Sequence, residues 1–385
     1  MELLLYLYIL IVVYLFFKYS RIRTLYIFSP YILIYLNFIF NDAIPFLFFY
    51  PDVPENIQYT TFTAAIINLS FLFLFRKQAQ VPISINLPLS SIKLNKKRKI
   101  LLSCFVFFLL WAGVMSGVLI NLLRGNNIED LRRTSEIGVG VIRDIPMLGI
   151  QIIMLVLFLQ KTWKCYYKVV AFYSFCLSVF LFLTTGNKGG VLVGVTLFLL
   201  FFHLKKRGFK WYEYVLYYLA MPLAAGTLQG IRGGDLTLIA SQIAVFFSYP
   251  VILYQANSIP IMNAVGTENF FWGEEYYTGL VKFIPRFLWP DKPLSFDYKL
   301  KELANYDFEG GGIYTTLCND LYINFGYYYF IFYILWLLFI HYLYGMVMDD
   351  KRFYYSRIIA LFIILMGGLH LLLALVKSYY YFSCS

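Results

Sequence analysis

The chain has 385 residues, of which 61% are hydrophobic, 21% aromatic and only 14% charged, and its formal net charge is +11. Soluble domains carry about 45–50% apolar and about 25% charged residues, so this composition excludes a water-soluble globular protein and indicates a polytopic membrane protein. The positive charge is explained by basic cytoplasmic loops, so no nucleic-acid partner is expected.

Long apolar runs along the chain predict membrane-spanning helices. Only helices or closed barrels satisfy their backbone in lipid, and these runs are continuous rather than alternating, which excludes a barrel. The expected fold is all-α: a single transmembrane domain, 1–385, built as an integral membrane helix bundle of about ten spans, with nine to twelve as the range. The predicted spans, in chain order, are 2–17, 24–41, 60–75, 100–122, 145–160, 165–185, 191–204, 211–229, 320–345 and 353–376.

Basic residues are distributed unevenly between the two sides of the predicted bundle. Cytoplasmic loops collect Lys and Arg, so the segments that hold most of these residues are placed in the cytoplasm, and both termini then face outward. These basic segments are 18–23, 76–99, 161–168, 205–210 and 351–357.

The stretch 236–256, "TLIASQIAVFFSYPVILYQAN", is also apolar enough to span the bilayer. A crossing there would make the following segment, 257–319, cytoplasmic, yet that segment holds more acidic than basic residues. We therefore interpret 236–256 as re-entrant or interfacial, interrupted by Pro250. The whole of 230–319 then forms one large external or re-entrant loop region, in which we expect the functional site.

Two glycine-rich turns each carry one cation at the predicted outer end of a span. "TTGNKGG" (184–190) contains Lys188, and "GTLQGIRGGDL" (226–236) contains Arg232 together with Asp235. Glycines allow backbone N–H groups to approach an anion closely. The arginine fork matches phosphate oxygens, whereas lysine supplies a point charge. An ordinary loop with a snorkelling base is the alternative for each turn taken alone.

A third cationic stretch, "FIPRFLWPDKP" (283–293), places Arg286 and Lys292 among prolines and aromatic residues. Its prolines disfavour a long regular helix, and Trp289 suits the headgroup layer. Taken alone, the stretch can be read as an interfacial anchor. Together with the glycine-rich turns, it gives three cationic sites at one membrane face, and a membrane-bound diphosphate is the anion that they would fit.

Ionisable residues near or within the spans are further candidates, because such residues are rare in membranes. His370, in the last predicted span, can act as a general acid or base, or hydrogen bond to a neighbouring helix. Asp42 and Asp320 are candidates for holding sugar hydroxyls, and Asp235 is a further candidate substrate-binding carboxylate. The cysteines form no ligand cluster and no nucleotide-binding or H-E-x-x-H motif is present, so neither a metal nor a cofactor is expected.

The order of three motifs resembles a known family. "TTGNKGG", then "GIRGG", then "FIPRFLWPDKP" in a late external loop is similar to the Wzy-type oligosaccharide repeat-unit polymerases of O-antigen, capsule and exopolysaccharide pathways. The resemblance in architecture covers most of the chain, and its most specific element is the segment "IPR-x-L-W-P-x-K-P".

The resemblance implies a metal-independent glycosyltransferase of the membrane C-type architecture, working at the outer, periplasmic face of the bacterial plasma (inner) membrane. A growing glycan on undecaprenyl diphosphate would be transferred to a newly flipped lipid-linked repeat unit. Arg232 and Arg286 would bind the donor diphosphate and stabilise it as a leaving group, while Lys188 stands where many relatives carry arginine. Lys292 and Trp289 would belong to the substrate-binding surface. A flippase and a chain-length regulator are the implied protein partners, beside the lipid bilayer.

Other functions remain open on the sequence alone. A glycan ligase would use the same donor on the same side of the membrane. A repeat-unit flippase or other transporter would line a central cavity with basic residues inside its spans, whereas nearly all basic residues here lie in loops or at span ends. A purely structural scaffold would not need the "GIRGG" and "NKGG" turns.

Overall fold

The computed structural model describes part of the chain, and all of the described residues belong to one compact unit, 1–84 together with 245–385. The described residues form helices, turns and loops and contain no strand. They are 2–20, 34–35, 37–75, 251–252, 254–281, 284, 289, 291–293, 296–306 and 315–348. The predicted spans from 100 to 229 and at 353–376 lie outside this set.

The first two predicted spans are helical where the structure describes them. Helix α1 runs over Glu2–Ser20 and confirms the helix predicted at 2–17. The second predicted span, 24–41, extends further than expected, through a π-helical turn at Ile39–Ala43 into helix α2 at Ile44–Phe49. Its amino-terminal part lies mostly outside the described residues.

Helix α3 covers Glu55–Leu74 and begins earlier than the predicted start at residue 60. Pro54, with extended backbone angles, precedes it, and Glu55 lies in its first turn, where a negative charge is favourable. The structure therefore adds a polar first turn to the apolar run that the sequence analysis recognised.

The predicted span 320–345 is a helix with an interruption. Helix α7 covers Leu317–Phe325, a 3₁₀ turn covers Gly326–Tyr328, and helix α8 covers Tyr329–Met348. The interruption lies at Gly326, whose φ of 57° is in the left-handed region that favours glycine. Two described segments, Glu55–Leu74 and Leu317–Met346, are long and apolar enough to cross a membrane, which indicates membrane association.

Helices α3 and α8 lie side by side and run in the same direction. The Tyr329 hydroxyl donates to the carbonyl of Thr60 at 2.7 Å, and the Tyr333 hydroxyl donates to Asn68 Oδ1 at 2.9 Å. Further along both helices, the rings of Phe75 and His341 lie 3.9 Å apart between centroids. Because contacts advance along both helices together, the two amino-terminal ends lie at the same end of the unit.

The loop region 230–319, which we call the late loop, contains three short helices that the sequence analysis did not predict. Helix α4 (Ile259–Val265) follows a second π-helical turn at Tyr254–Ser258, and helices α5 and α6 cover Glu274–Val281 and Phe296–Leu303.

These loop elements pack against the ends of the longer helices. The Asn56 amide, in the first turn of α3, donates to the carbonyl of Met262 at 2.6 Å, and the Tyr322 hydroxyl donates to the carbonyl of Gly266 at 3.2 Å. The Phe271 N–H donates to the carbonyl of Ile323 at 3.1 Å. The described start of the late loop therefore lies at the amino-terminal end of α3.

Candidate functional site

The segment 284–292 is closed by Lys292, one of the predicted substrate-binding residues. Its ammonium donates to the carbonyl of Ile284 at 2.9 Å, eight positions back along the chain, and its N–H donates to the carbonyl of Trp289 at 3.2 Å. The described positions of this segment are non-helical, as its prolines predicted. Lys292 thus joins the ends of the segment whose sequence contains Arg286.

Asp320 lies in the first turn of α7, where Thr316 caps the helix by accepting from the N–H of Asn319 at 3.3 Å. The N–H of Asp320 donates to the carbonyl of Thr316 at 2.8 Å, and its own carbonyl accepts from the Asn324 amide at 2.9 Å. Its half-buried side chain is therefore carried on a well-fixed helical turn.

Asn324 links α7 to the start of α5. Its amide nitrogen donates to Glu275 Oε2 at 2.7 Å, and its amide oxygen accepts from the Glu275 N–H at 3.4 Å. Tyr276 is only partly buried, with 45% of its surface exposed; this partial burial, followed by the negative charges of Glu275 and Asp320, raises the pKa of its hydroxyl, which keeps its proton. We call Glu275, Tyr276, Asp320 and Asn324 the carboxylate cluster.

The sequence analysis named Asp320 as a candidate, but it did not name the other three members of the cluster. Glu275 and Tyr276 belong to "WGEEYY", which contributed only to the net charge of the late loop. The sequence did contain a signal: a pair of glutamates directly after a glycine, and a later helix start that is rich in Asn and Asp. Its significance depends on a contact between residues 49 positions apart, which sequence spacing does not reveal.

The cluster is supported by contacts between α5, α6 and α7. Glu274 forms an ion pair with Lys299 of α6. Phe271 packs edge-on against Phe296, with ring centroids 4.9 Å apart. Tyr276 stacks on Phe325, with centroids 5.8 Å apart. Glu275 and Tyr276 are therefore carried by an element that is anchored on two sides.

Trp272 lies beside the cluster and is 67% exposed. Its φ of 49° places it in the left-handed region, which is uncommon for a bulky residue. The adjacent rings of Tyr276 and Tyr277 are also exposed. The cluster thus combines carboxylates, a protonated phenol and accessible aromatic faces. Such groups can hydrogen bond to ligand hydroxyls, and a carboxylate can also accept a proton from one.

Asp42 differs from the expectation that it holds sugar hydroxyls. It lies in the first π-helical turn and is only 2% exposed. The cavity beside it has room for about one water molecule, so a sugar ring does not reach the carboxylate in this structure.

Some of the predicted site residues lie within the part of the chain that the structure describes, and the others lie outside it. Trp289, Lys292 and Asp320 are described, and they belong to the closed segment and to the carboxylate cluster. Among the described residues, no group of three or more His, Cys, Asp or Glu side chains is arranged to hold a metal ion. The predicted residues outside the described set are Lys188, Arg232, Asp235, Arg286 and His370.

Comparisons with known proteins do not extend this picture. No protein-family model, no curated protein and no solved structure matches the chain.

Proposed function

We propose that this protein polymerises lipid-linked oligosaccharide repeat units at the outer face of the bacterial plasma membrane. The observation that carries the proposal is the segment "FIPRFLWPDKP", closed by Lys292 on Ile284 and lying in the same loop of the chain as Glu275 and Tyr276. The order of the three cationic motifs, which resembles the Wzy-type polymerases, supplies the substrate class.

The parallel arrangement of α3 and α8 supports the topology on which the proposal rests. Two parallel spans enter the membrane from the same side, so the chain between them crosses an odd number of times. Five spans are predicted between residues 75 and 320, and a sixth crossing at 236–256 would make α3 and α8 antiparallel. The orientation thus favours a re-entrant or interfacial 236–256 and a late loop on the same side as the amino-terminal end of α3.

In the proposed reaction, Arg232, Arg286 and Lys188 bind the diphosphate of the donor lipid. A hydroxyl of the acceptor unit attacks the anomeric carbon of the donor glycan. The new glycosidic bond forms as the bond from that carbon to the diphosphate oxygen breaks. Undecaprenyl diphosphate leaves with its electron pair, and the cations stabilise the negative charge that develops on it.

In this proposal, the carboxylate cluster binds the acceptor sugar and activates its attacking hydroxyl. Asn324 orients the Glu275 carboxylate, and Glu275 takes the proton of the attacking hydroxyl as general base. Asp320 and Tyr276 hydrogen bond to neighbouring hydroxyls of the acceptor sugar.

Polymer formation from purified components tests the proposal. The protein in nanodiscs is incubated with lipid-linked repeat unit, and the products are separated by length. A ladder of lipid-linked products is expected, and it should disappear with Arg286→Ala but remain with Arg352→Ala, an arginine of the predicted cytoplasmic segment 351–357. Transfer of one glycan to a different acceptor lipid without a ladder would indicate a ligase. Movement of a fluorescent repeat unit between leaflets without elongation would indicate a flippase.

A further inference from the structure

Helix α5 turns its charged side chains toward the rest of the protein. Glu274 forms an ion pair with Lys299 of α6, and the Glu275 carboxylate accepts from the Asn324 amide of α7 at 2.7 Å. Thr278 is buried. At about 3.6 residues per turn, positions 274, 275 and 278 share one face of the helix. The polar face of α5 is therefore the face that packs against the protein.

The opposite face of α5 is apolar and exposed. Tyr276, Tyr277 and Leu280 belong to it, and Leu280 is 75% exposed. Ile284, just beyond the end of the helix, is exposed as well. A surface helix of a water-soluble protein has the reverse arrangement, with its apolar face toward the core and its charges outside. The arrangement in α5 is the one favoured when the medium outside the helix is itself apolar.

A stack of aromatic rings connects this face to the exposed side of α8. The ring of Tyr276 stacks on Phe325, and Phe325 stacks on Phe332 of α8 with centroids 3.6 Å apart. Phe332 and Leu335 are both exposed, and they belong to the segment Leu317–Met346, which is long and apolar enough to cross a membrane. The apolar face of α5 is thus continuous with a surface that lipid would cover.

The aromatic residues around the start of α8 are of the kind found at a membrane surface. Trp272, Tyr327 and Tyr328 are all exposed, and the ring of Phe270 contacts Trp272 and Tyr327 with centroids 6.1 and 6.4 Å apart. Trp and Tyr collect at headgroup level because their rings are apolar and their N–H or O–H groups are polar. The junction before α8 therefore marks the level of the headgroups.

We propose that the exposed face of α5, formed by Tyr277, Leu280 and Ile284 with Tyr276 at its edge, is a membrane-binding surface that contacts the phospholipids of the bilayer. Interfacial helices lie in the membrane plane, with their apolar face at the boundary between headgroups and acyl chains. Glu275, on the protein side of the same helix, then lies at the level of the headgroups. The inference does not rest on the proposed polymerase activity.

Spin labelling of the full-length protein in nanodiscs of phosphatidylcholine and phosphatidylglycerol tests this surface. A nitroxide on Leu280→Cys, in a background lacking the five native cysteines, should be relaxed more by oxygen, which concentrates in lipid, than by nickel-EDDA, which stays in water. Leu335→Cys on α8 is the lipid control and should behave alike. Thr267→Cys, at an exposed position before α5, is the water control and should show the opposite preference.

Two results of this experiment would overturn the proposal. Relaxation at position 280 mainly by nickel-EDDA, as at position 267, would place α5 in water. Weak relaxation by both reagents would show that protein covers the face.

A photo-crosslink keeps the proposal testable if the variant without cysteines does not fold. Benzoylphenylalanine in place of Leu280, with all native cysteines kept, should on irradiation add the mass of one phospholipid to the chain. The same group in place of Thr267 should add none. A crosslink from position 280 to another part of the chain or to a second copy, without a lipid adduct, would contradict the membrane-binding surface.

Discussion

Gly326 lies directly against the ring of Phe270: a Cβ atom at this position would be 2.6 Å from Cε2 of that ring. The contact joins the late loop to the junction of α7 and α8. It also fixes the position of "WGEEYY", because Phe270 is followed within a few residues by Trp272 and Glu275.

Gly326→Ala should therefore destabilise the protein, by about 1–3 kcal/mol, since the ring must move and the residue must keep a positive φ. Gly345→Ala is the matched control, because its Cβ would meet no atom within 4 Å and alanine favours a helix. Thermal unfolding in detergent measures both. Equal Tm values for the two variants would contradict the close contact.

The hydrogen bond between α8 and α3 gives a second prediction. Tyr329→Phe removes the 2.7 Å bond to the Thr60 carbonyl within a buried interface and should cost about 0.5–1.5 kcal/mol. Tyr328→Phe, at an exposed neighbouring ring, should leave the Tm unchanged. A loss that is no larger for Tyr329 than for Tyr328 would show that the two helices are not held together by this bond.

The carboxylate cluster should matter for catalysis more than for stability. Glu275→Gln keeps the size of the side chain but removes the proposed base, so polymer yield should fall at least about tenfold while expression stays normal. Asp320→Asn should raise the acceptor concentration needed for half-maximal rate. Glu268→Gln, an exposed glutamate of the same loop, is the control. Parent-like polymerisation by Glu275→Gln would remove Glu275 from the mechanism.

Arg286 should act through its planar fork and not only through its charge. Arg286→Lys should already lower polymer length, and Arg286→Ala should be nearly inactive. Lys292→Ala should have a smaller effect, because it opens the segment at Ile284 without removing the arginine. Trp289→Ala should also be milder, since other aromatic residues share the anchoring. If Arg286→Ala polymerises normally at limiting substrate, the segment is an interfacial anchor only.

The side of the membrane can be tested independently of activity. Thr267 is exposed, so a cysteine at this position should react with an impermeant maleimide in whole cells, in a background lacking Cys318 and Cys384. Reaction only after permeabilisation would place the late loop in the cytoplasm. The predicted positions of the three cationic motifs at the outer face would then be wrong.

The long helices were the most predictable part of the fold. Continuous apolar runs predicted α1, α3 and α8, because a span must satisfy its backbone internally and face lipid along its length. The predicted helix ends were less accurate. Helix α3 starts at Glu55, in the polar residues that follow Pro54, and not at residue 60. The predicted span 320–345 is interrupted where Gly326 contacts Phe270. That contact joins distant parts of the chain and leaves no local periodic signal.

The short helices and the carboxylate cluster were not predictable for the same reason. Helices α4, α5 and α6 are too short to show a clear apolar period, and the late loop was interpreted only from its charge. The Glu275 carboxylate is held in position by the amide of Asn324, which belongs to α7. Among the described residues, the sequence analysis named Asp42, Asp320, Trp289 and Lys292 as candidates. It did not predict the bond from Lys292 to Ile284 that closes the segment 284–292.

The pairing of α3 with α8 also has a consequence for biogenesis. Thr60 and Tyr329 are 269 positions apart in the chain. At a synthesis rate of about 5–20 residues per second, roughly 13–54 s separate the emergence of the two residues from the ribosome. Throughout that interval, the buried polar face of α3, with Thr60 and Asn68, has no α8 to contact. We therefore expect Asn68, whose partner Tyr333 is synthesised late, to be kept from lipid by an earlier helix or by the insertion machinery until α8 arrives.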